Sequence, residues 1–200
     1  MNLAINPNDL ENPTLPLRLK TETAAEHERM HQLMGAADVF SSMEKYTQFT
    51  LSQYYFQVEI EELFKQDAVV AHIPDLDIRG RSEQALLDLQ DLKLQPQGRE
   101  LAVKNVQFPA ALGWIYVSEG STLGAAFLFK QAQASLGLTA EHGARNLAAY
   151  PEGRAKVWKR FVEALDQAQF SKEQQDQVVQ GALDAFDYFG ELLINIDQLK

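Results

Sequence analysis

Apolar positions along the chain recur at three- and four-residue spacing, and no stretch sustains the strict alternation of a half-buried strand. The spacing predicts a first helix from about Leu17 to Met34. A second starts at Ser41, where Ser41 and Glu44 have capping-box spacing, and continues through YTQFTLSQYYFQVEIEELF. Pro74 and Gly80 then break the pattern; SEQALLDLQDL after Ser82 gives a short helix, which QPQG ends. Pro109 opens a long apolar helix that Gly137 closes. TAEHGARNLAAY reads as a short helix or an irregular connection. Pro151, at a first-turn position, starts PEGRAKVWKRFVEALDQA, and Ser171 with Gln174 caps a last helix reaching about Ile196. Six to eight helices with short loops and no internal repeat predict a single all-α domain over 17–200. MNLAINPNDLENPTLP, residues 1–16, is expected to be a loose arm.

Composition narrows the chemistry. Hydrophobic residues at 46% and charged residues at 23% suit a folded globular chain long enough for a real core. The absence of cysteine removes thiolate ligands and cysteine nucleophiles, so any metal must be held by His, Asp or Glu. A net charge of −10, with no stripe of Lys or Arg, argues against nucleic acid as a partner. No apolar run approaches the roughly 20 residues that span a bilayer. The N-terminal stretch lacks the basic-then-apolar order of a signal peptide, and a cytoplasmic address is expected.

TAAEHERMHQLM in the first helix carries two of the four histidines, His27 and His31. Four residues apart, they share one helix face. Lys20 precedes His27 by seven residues, on the same side of the wheel and about 10 Å away along the axis at about 1.5 Å per residue. A group that is apolar and metal-bearing at its centre and anionic about 10 Å away matches that pair. Heme is such a group, because iron takes an imidazole and a propionate takes an ammonium. Three other readings stay open: a surface histidine, a satisfied core histidine, or a pair chelating one small divalent ion. Catalytic zinc, however, takes a third protein ligand.

EGSTLGAA in the long helix places Gly120 and Gly124 one turn apart. Each glycine inside a helix costs about 1 kcal/mol against alanine. Two on one face imply that something approaches closer than a Cβ allows. Either a flat ring or a neighbouring helix meets that need. Tyr116 and Phe127 flank the bare patch, which offers no His, Cys or Met to ligate iron from that side.

LRLKTETAAEHERMH, the second-helix run, GWIYVSEGSTLGAAFLFKQA, and HGARNLAAY followed by GRAKVWKRF stand in an order and spacing that resemble the heme oxygenases. The similarity is to the bacterial branch that extracts iron from heme, and it spreads from about Leu17 to about Ile196. The resemblance implies heme between the first helix and a kinked, glycine-bearing distal helix. It implies His27 as the proximal iron ligand and Gly120 and Gly124 as the distal glycines. Lys20 and Tyr116 match positions that hold propionates in members opening the ring at its α-meso carbon. Heme b would thus be both substrate and oxygen-activating cofactor. Oxygen and electrons from a separate reductase, ferredoxin or flavodoxin would convert it to α-biliverdin, carbon monoxide and ferrous iron, for iron acquisition.

Two positions depart from the family pattern. Ser121 stands where mammalian-type members carry an Asp, so protons would pass through water held near Ser121 and the backbone, as in the bacterial branch. His31 stands where an acidic residue commonly bonds the ligand's Nδ1. The alternative is a heme carrier without turnover, against which the open distal face argues. A thiaminase-like enzyme would need a cysteine, and a di-metal carboxylate bundle would need Glu-x-x-His on two helices; the chain has neither.

Overall fold

The computed structural model describes residues 13–148 and 150–200. Among them are nine α-helices and no strand. They are α1 (Leu15–Glu22), α2 (Ala24–Ala37), α3 (Met43–Leu63), α4 (Asp67–His72), α5 (Leu76–Arg79), α6 (Ser82–Asp91), α7 (Ala110–Leu136), α8 (Arg154–Gln167) and α9 (Lys172–Ile194). The count exceeds the expected six to eight because the first predicted helix forms as α1 and α2, and the stretch between α3 and α6 supplies α4 and α5. Most of the expected arm, residues 1–12, lies outside the described residues, and α1 already includes Leu15 and Pro16.

Elements whose ends carry their own capping chemistry form as the sequence predicts. Ser171 and Gln174 make a reciprocal capping box at the start of α9. Gly137 ends α7 at φ 69°, a left-handed conformation in which a glycine meets no Cβ penalty. Helix α7 stays helical through Gly120 and Gly124.

Three boundaries differ from expectation. The first helix is two helices. Thr23, 3% exposed, turns its hydroxyl back to the Leu19 carbonyl at 2.7 Å and adopts φ −105°, ψ 6°. Such back-bonding bends helices, and it places Lys20 on α1 and His27 on α2. The straight wheel relating them does not span the joint. The cap of α3 is Ser42, which accepts from the Lys45 amide at 3.2 Å, whereas Ser41 donates to the Asp38 carbonyl. Helix α8 begins at Arg154 because Gly153, at φ 95°, closes a turn onto the Tyr150 carbonyl after Pro151 and Glu152.

Two hydrophobic clusters share α3, α7 and α9. The larger joins Leu15 and Leu19 of α1 to Phe56, Leu112, Ile115, Phe161 and Ala182. The smaller gathers Tyr46, Phe49, Ala125, Ala132 and Leu193, with Met30, Leu33 and Met34 of α2 against its edge. Helices α7 and α9 cross with their backbones almost touching. A Cβ on Gly113 would overlap the Val178 carbonyl oxygen and the Ala182 amide, and one on Gly181 would overlap the Ala110 carbonyl oxygen. This crossing fixes α7 against the core and leaves the later half of α7 to meet something else.

Candidate functional site

None of the fourteen residues of α2 is buried, an unusual state for a helix attached to a core. Half-buried Met30, Leu33 and Met34 attach it to the smaller cluster, and a polar anchor ties it to α9. The Arg29 guanidinium bonds Asp187 of α9 at 2.7 Å and Glu26 at 2.6 Å. It lies over Gly190, where a Cβ would stand 2.7 Å from Arg29 Nη1. Arg29 is therefore neutralised by these two carboxylates. His27 and His31 face outward beside this attachment. Their ring centroids are 4.7 Å apart, edge to face at 69°. Though exposed, His27 has its pKa held below the usual imidazole value, first by partial desolvation and then by the neighbouring His31. It is thus neutral at pH 7, the form that ligates a metal.

The outward face of α7 is apolar and bare. Leu123 and Phe127 are 42% and 66% exposed, and beyond Gly124 a Cβ would meet nothing within 4 Å. Gly120 is half-buried; a Cβ there would make ordinary contact with the Trp158 ring at 3.6 Å. The helix-crossing explanation therefore fails for this pair, and the crossing belongs to Gly113 and Gly181. Ser121 is exposed, and its hydroxyl donates to the Ser118 carbonyl at 2.6 Å, leaving its lone pairs free to accept. Tyr116, one turn earlier, packs half-buried on Trp158 with centroids 5.4 Å apart. Burial pushes its phenol pKa up, so it stays a donor.

Behind the bare face, α7 is held by a polar layer that periodicity alone does not reveal. Glu119, 1% exposed, accepts from Arg79 Nη1 at 2.5 Å and from the Tyr150 hydroxyl at 2.9 Å. Arg79 is wholly buried and also bonds the Pro74 carbonyl. Arg81 reaches the Ser118 carbonyl, and Arg154 the Thr122 carbonyl at 2.6 Å. Two backbone carbonyls of α7 are so taken by guanidinium groups from α8 and the α5–α6 connection. The signal for this layer was present: Glu119 is the lone charge between Ala110 and Phe129. A charge in so apolar a run is retained only if paired.

Both surfaces rest on the smaller cluster. Met30, Leu33 and Met34 turn inward from α2, and Ala125, Leu128 and Phe129 from α7. The imidazoles and the bare glycine face therefore flank one core. A flat macrocycle fits this arrangement: an open face where a Cβ would otherwise stand, exposed apolar side chains beside it, and the neutral His27 imidazole on the other helix. Lys20 stands exposed on α1. The remaining histidines lie elsewhere: His72 packs on Phe108 and Phe170, and His142 is 3.3 Å from Asp91. Among the described residues, no helix is long and apolar enough to cross a membrane.

The heme oxygenase family model matches residues 14–195. Heme oxygenase PigA of Pseudomonas aeruginosa is 40% identical over 178 residues, covering 88% of this chain and 89% of that protein. The NO- and CO-bound heme oxygenase of Neisseria meningitidis superposes with a TM-score of 0.86 at 36% identity, covering 94% of each chain. Heme oxygenase of Leptospira interrogans shares the fold, with a TM-score of 0.77 at 17% identity over 90% of this chain and 98% of that one. The chain belongs to the heme oxygenase family and is a heme-degrading oxidoreductase.

Proposed function

We propose that the protein holds heme b between His27 of α2 and the Gly120–Gly124 face of α7. There it opens the ring to α-biliverdin, carbon monoxide and ferrous iron, in a cytoplasmic route of iron acquisition. A separate reductase, ferredoxin or flavodoxin supplies the electrons. The observation that carries this reading is the bare surface at Gly124, flanked by exposed Leu123 and Phe127 on a helix pinned from behind. Bound heme supplies the iron that activates oxygen and is itself the substrate that is oxidised.

The chain's own residues do the rest. His27 offers one neutral ring nitrogen to iron, and His31, with its ring 4.7 Å away, acts on the other side of that imidazole or at the rim. Lys20 and the protonated Tyr116 pair with the propionates and so set which meso carbon faces the reacting oxygen. Gly120 and Gly124 let main chain press against the ring and exclude water, where a side chain would hold it off. The Ser121 oxygen and nearby α7 carbonyls hold the water that delivers protons. The arrangement positions and desolvates rather than supplying a nucleophile of its own.

Adding hemin and then ascorbate or a reductase tests the reading by visible spectroscopy. Decay of the heme bands with growth of a bile-pigment band is expected. Stable hemin absorption under reductant and oxygen would make the protein a carrier.

A further inference from the structure

The pair His27 and His31 has a geometry that heme ligation by His27 alone does not use. A ligating nitrogen sits 2.0–2.1 Å from a zinc-like ion, and the ring centroid lies about 1.1 Å further, so each centroid stands about 3.2 Å from the metal. Two centroids 4.7 Å apart would subtend about 95° at a shared ion once each ring, edge to face with the other in the heme-free chain, turns a nitrogen toward it, an angle between the octahedral one of about 90° and the tetrahedral one of about 109°. Both rings are exposed, and α2 buries none of its residues, so an ion reaches them without opening the core. Among the described residues no group of three or more His, Asp or Glu side chains could hold a metal. Water would therefore complete the shell, and borderline ions that accept imidazole are favoured over calcium or magnesium.

We propose that, in the heme-free protein, His27 and His31 chelate one divalent transition cation of the nickel, copper or zinc class, and that this ion competes with heme for His27. The competition rests on His27 being the heme ligand; the chelation does not. Loading with heme and loading with free metal then exclude each other at one imidazole. The order nickel, zinc and copper over ferrous iron follows the general ranking for nitrogen sites. The ferrous product of ring opening is thus retained less tightly by this pair than nickel, copper or zinc.

Nickel chloride titrated into the untagged, full-length, heme-free protein by calorimetry tests the chelate. One Ni2+ per chain is expected, with binding weakened at least tenfold in His27→Ala and equally in His31→Ala. Both substitutions lie on an exposed helix face, and circular dichroism checks that each variant is folded. Paramagnetic broadening by Ni2+ of the His27 and His31 ring protons, and not those of His72 or His142, gives a second readout in the unaltered chain. Absence of Ni2+ binding, unchanged binding in His31→Ala, or broadening at His72 or His142 alone would overturn the chelate. Prior loading with hemin should abolish Ni2+ binding. Full Ni2+ binding to hemin-loaded protein, with both variants defective, would overturn the competition and the assignment of His27 to heme, while the chelate stands.

Discussion

Alanine at position 124 separates what a glycine contributes to the helix from what it contributes to the site. Gly124 lies in the interior of α7 and is exposed, and a Cβ there meets nothing within 4 Å. In the heme-free protein Gly124→Ala should therefore gain the helix-propensity difference of about 1 kcal/mol. For a chain of this size that raises Tm by about 2–4 °C. The new carbon projects about 1.5 Å from a Cα that would otherwise touch the ring. Displacing the ring by on the order of 1 Å can cost about 100-fold in turnover. Scanning calorimetry with and without hemin, beside single-turnover conversion in reductant, reads both effects. The variant should melt higher alone, gain less from hemin than the wild type, and convert hemin at least tenfold more slowly. Gly113→Ala supplies the contrast, because its Cβ would overlap main-chain atoms of α9 that cannot rotate away. Overpacking of about 3 kcal/mol against about 1 kcal/mol gained should lower Tm by about 4–8 °C. A Gly124→Ala protein with wild-type conversion and hemin stabilisation would refute the placement of the ring on this face.

Glu119→Gln leaves the wholly buried Arg79 charge uncompensated. It should cost about 3–5 kcal/mol, seen as a Tm fall of roughly 6–20 °C, with Arg79→Met in the same chain restoring part of it; an unchanged melting curve would contradict the pinning of α7. Lys20→Ala should alter the regiochemistry more than the rate, so chromatography of the bile pigment should show isomers besides α, and pure α product would remove Lys20 from the propionate site. The hydroxyls of Tyr46, Tyr150 and Tyr188 donate to Gly143 O, Glu119 Oε1 and Glu59 Oε1 at 2.9, 2.9 and 3.0 Å. Burial, the largest cause, together with nearby carboxylates pushes all three well above the usual value near 10. An acid raised on folding stabilises below its unfolded pKa and ceases to as pH rises past it. Absorbance at 295 nm should therefore show these three of the six tyrosines ionising together with loss of helicity above pH 10, and their independent ionisation in a folded chain would refute the buried pairing.

What the sequence revealed followed the range of the interactions concerned. The ends of α7 and the capping box of α9 are set within a few residues, by Pro109, Gly137, Ser171 and Gln174, and were legible. The break at Thr23 depends on its hydroxyl turning back to Leu19 and on burial that only the packed fold supplies. The later start of α8 depends on the φ of Gly153, which a proline at a first-turn position masked. Local spacing singled out Gly120 and Gly124 but could not say whether a ring or a helix came close, because that depends on who the neighbour is. The crossing partner of Gly113 is 68 residues away, at Gly181. The buried pair Arg79–Glu119 is equally non-local, although a lone acid in an apolar helix announced that some cation must meet it. His27 and His31 were legible as a pair because four residues on a helix fix their separation; that they remain exposed was not.

The central claim is that a single imidazole, from His27, binds iron while main chain covers the other face. Resonance Raman spectra of the reduced hemin complex of the wild type and of His27→Ala measure it directly. One iron–histidine stretching band in the wild type, lost in the variant and regained with added imidazole, is the predicted result. The same band in His27→Ala, or a spectrum showing imidazole on both faces of the wild-type complex, would contradict the account.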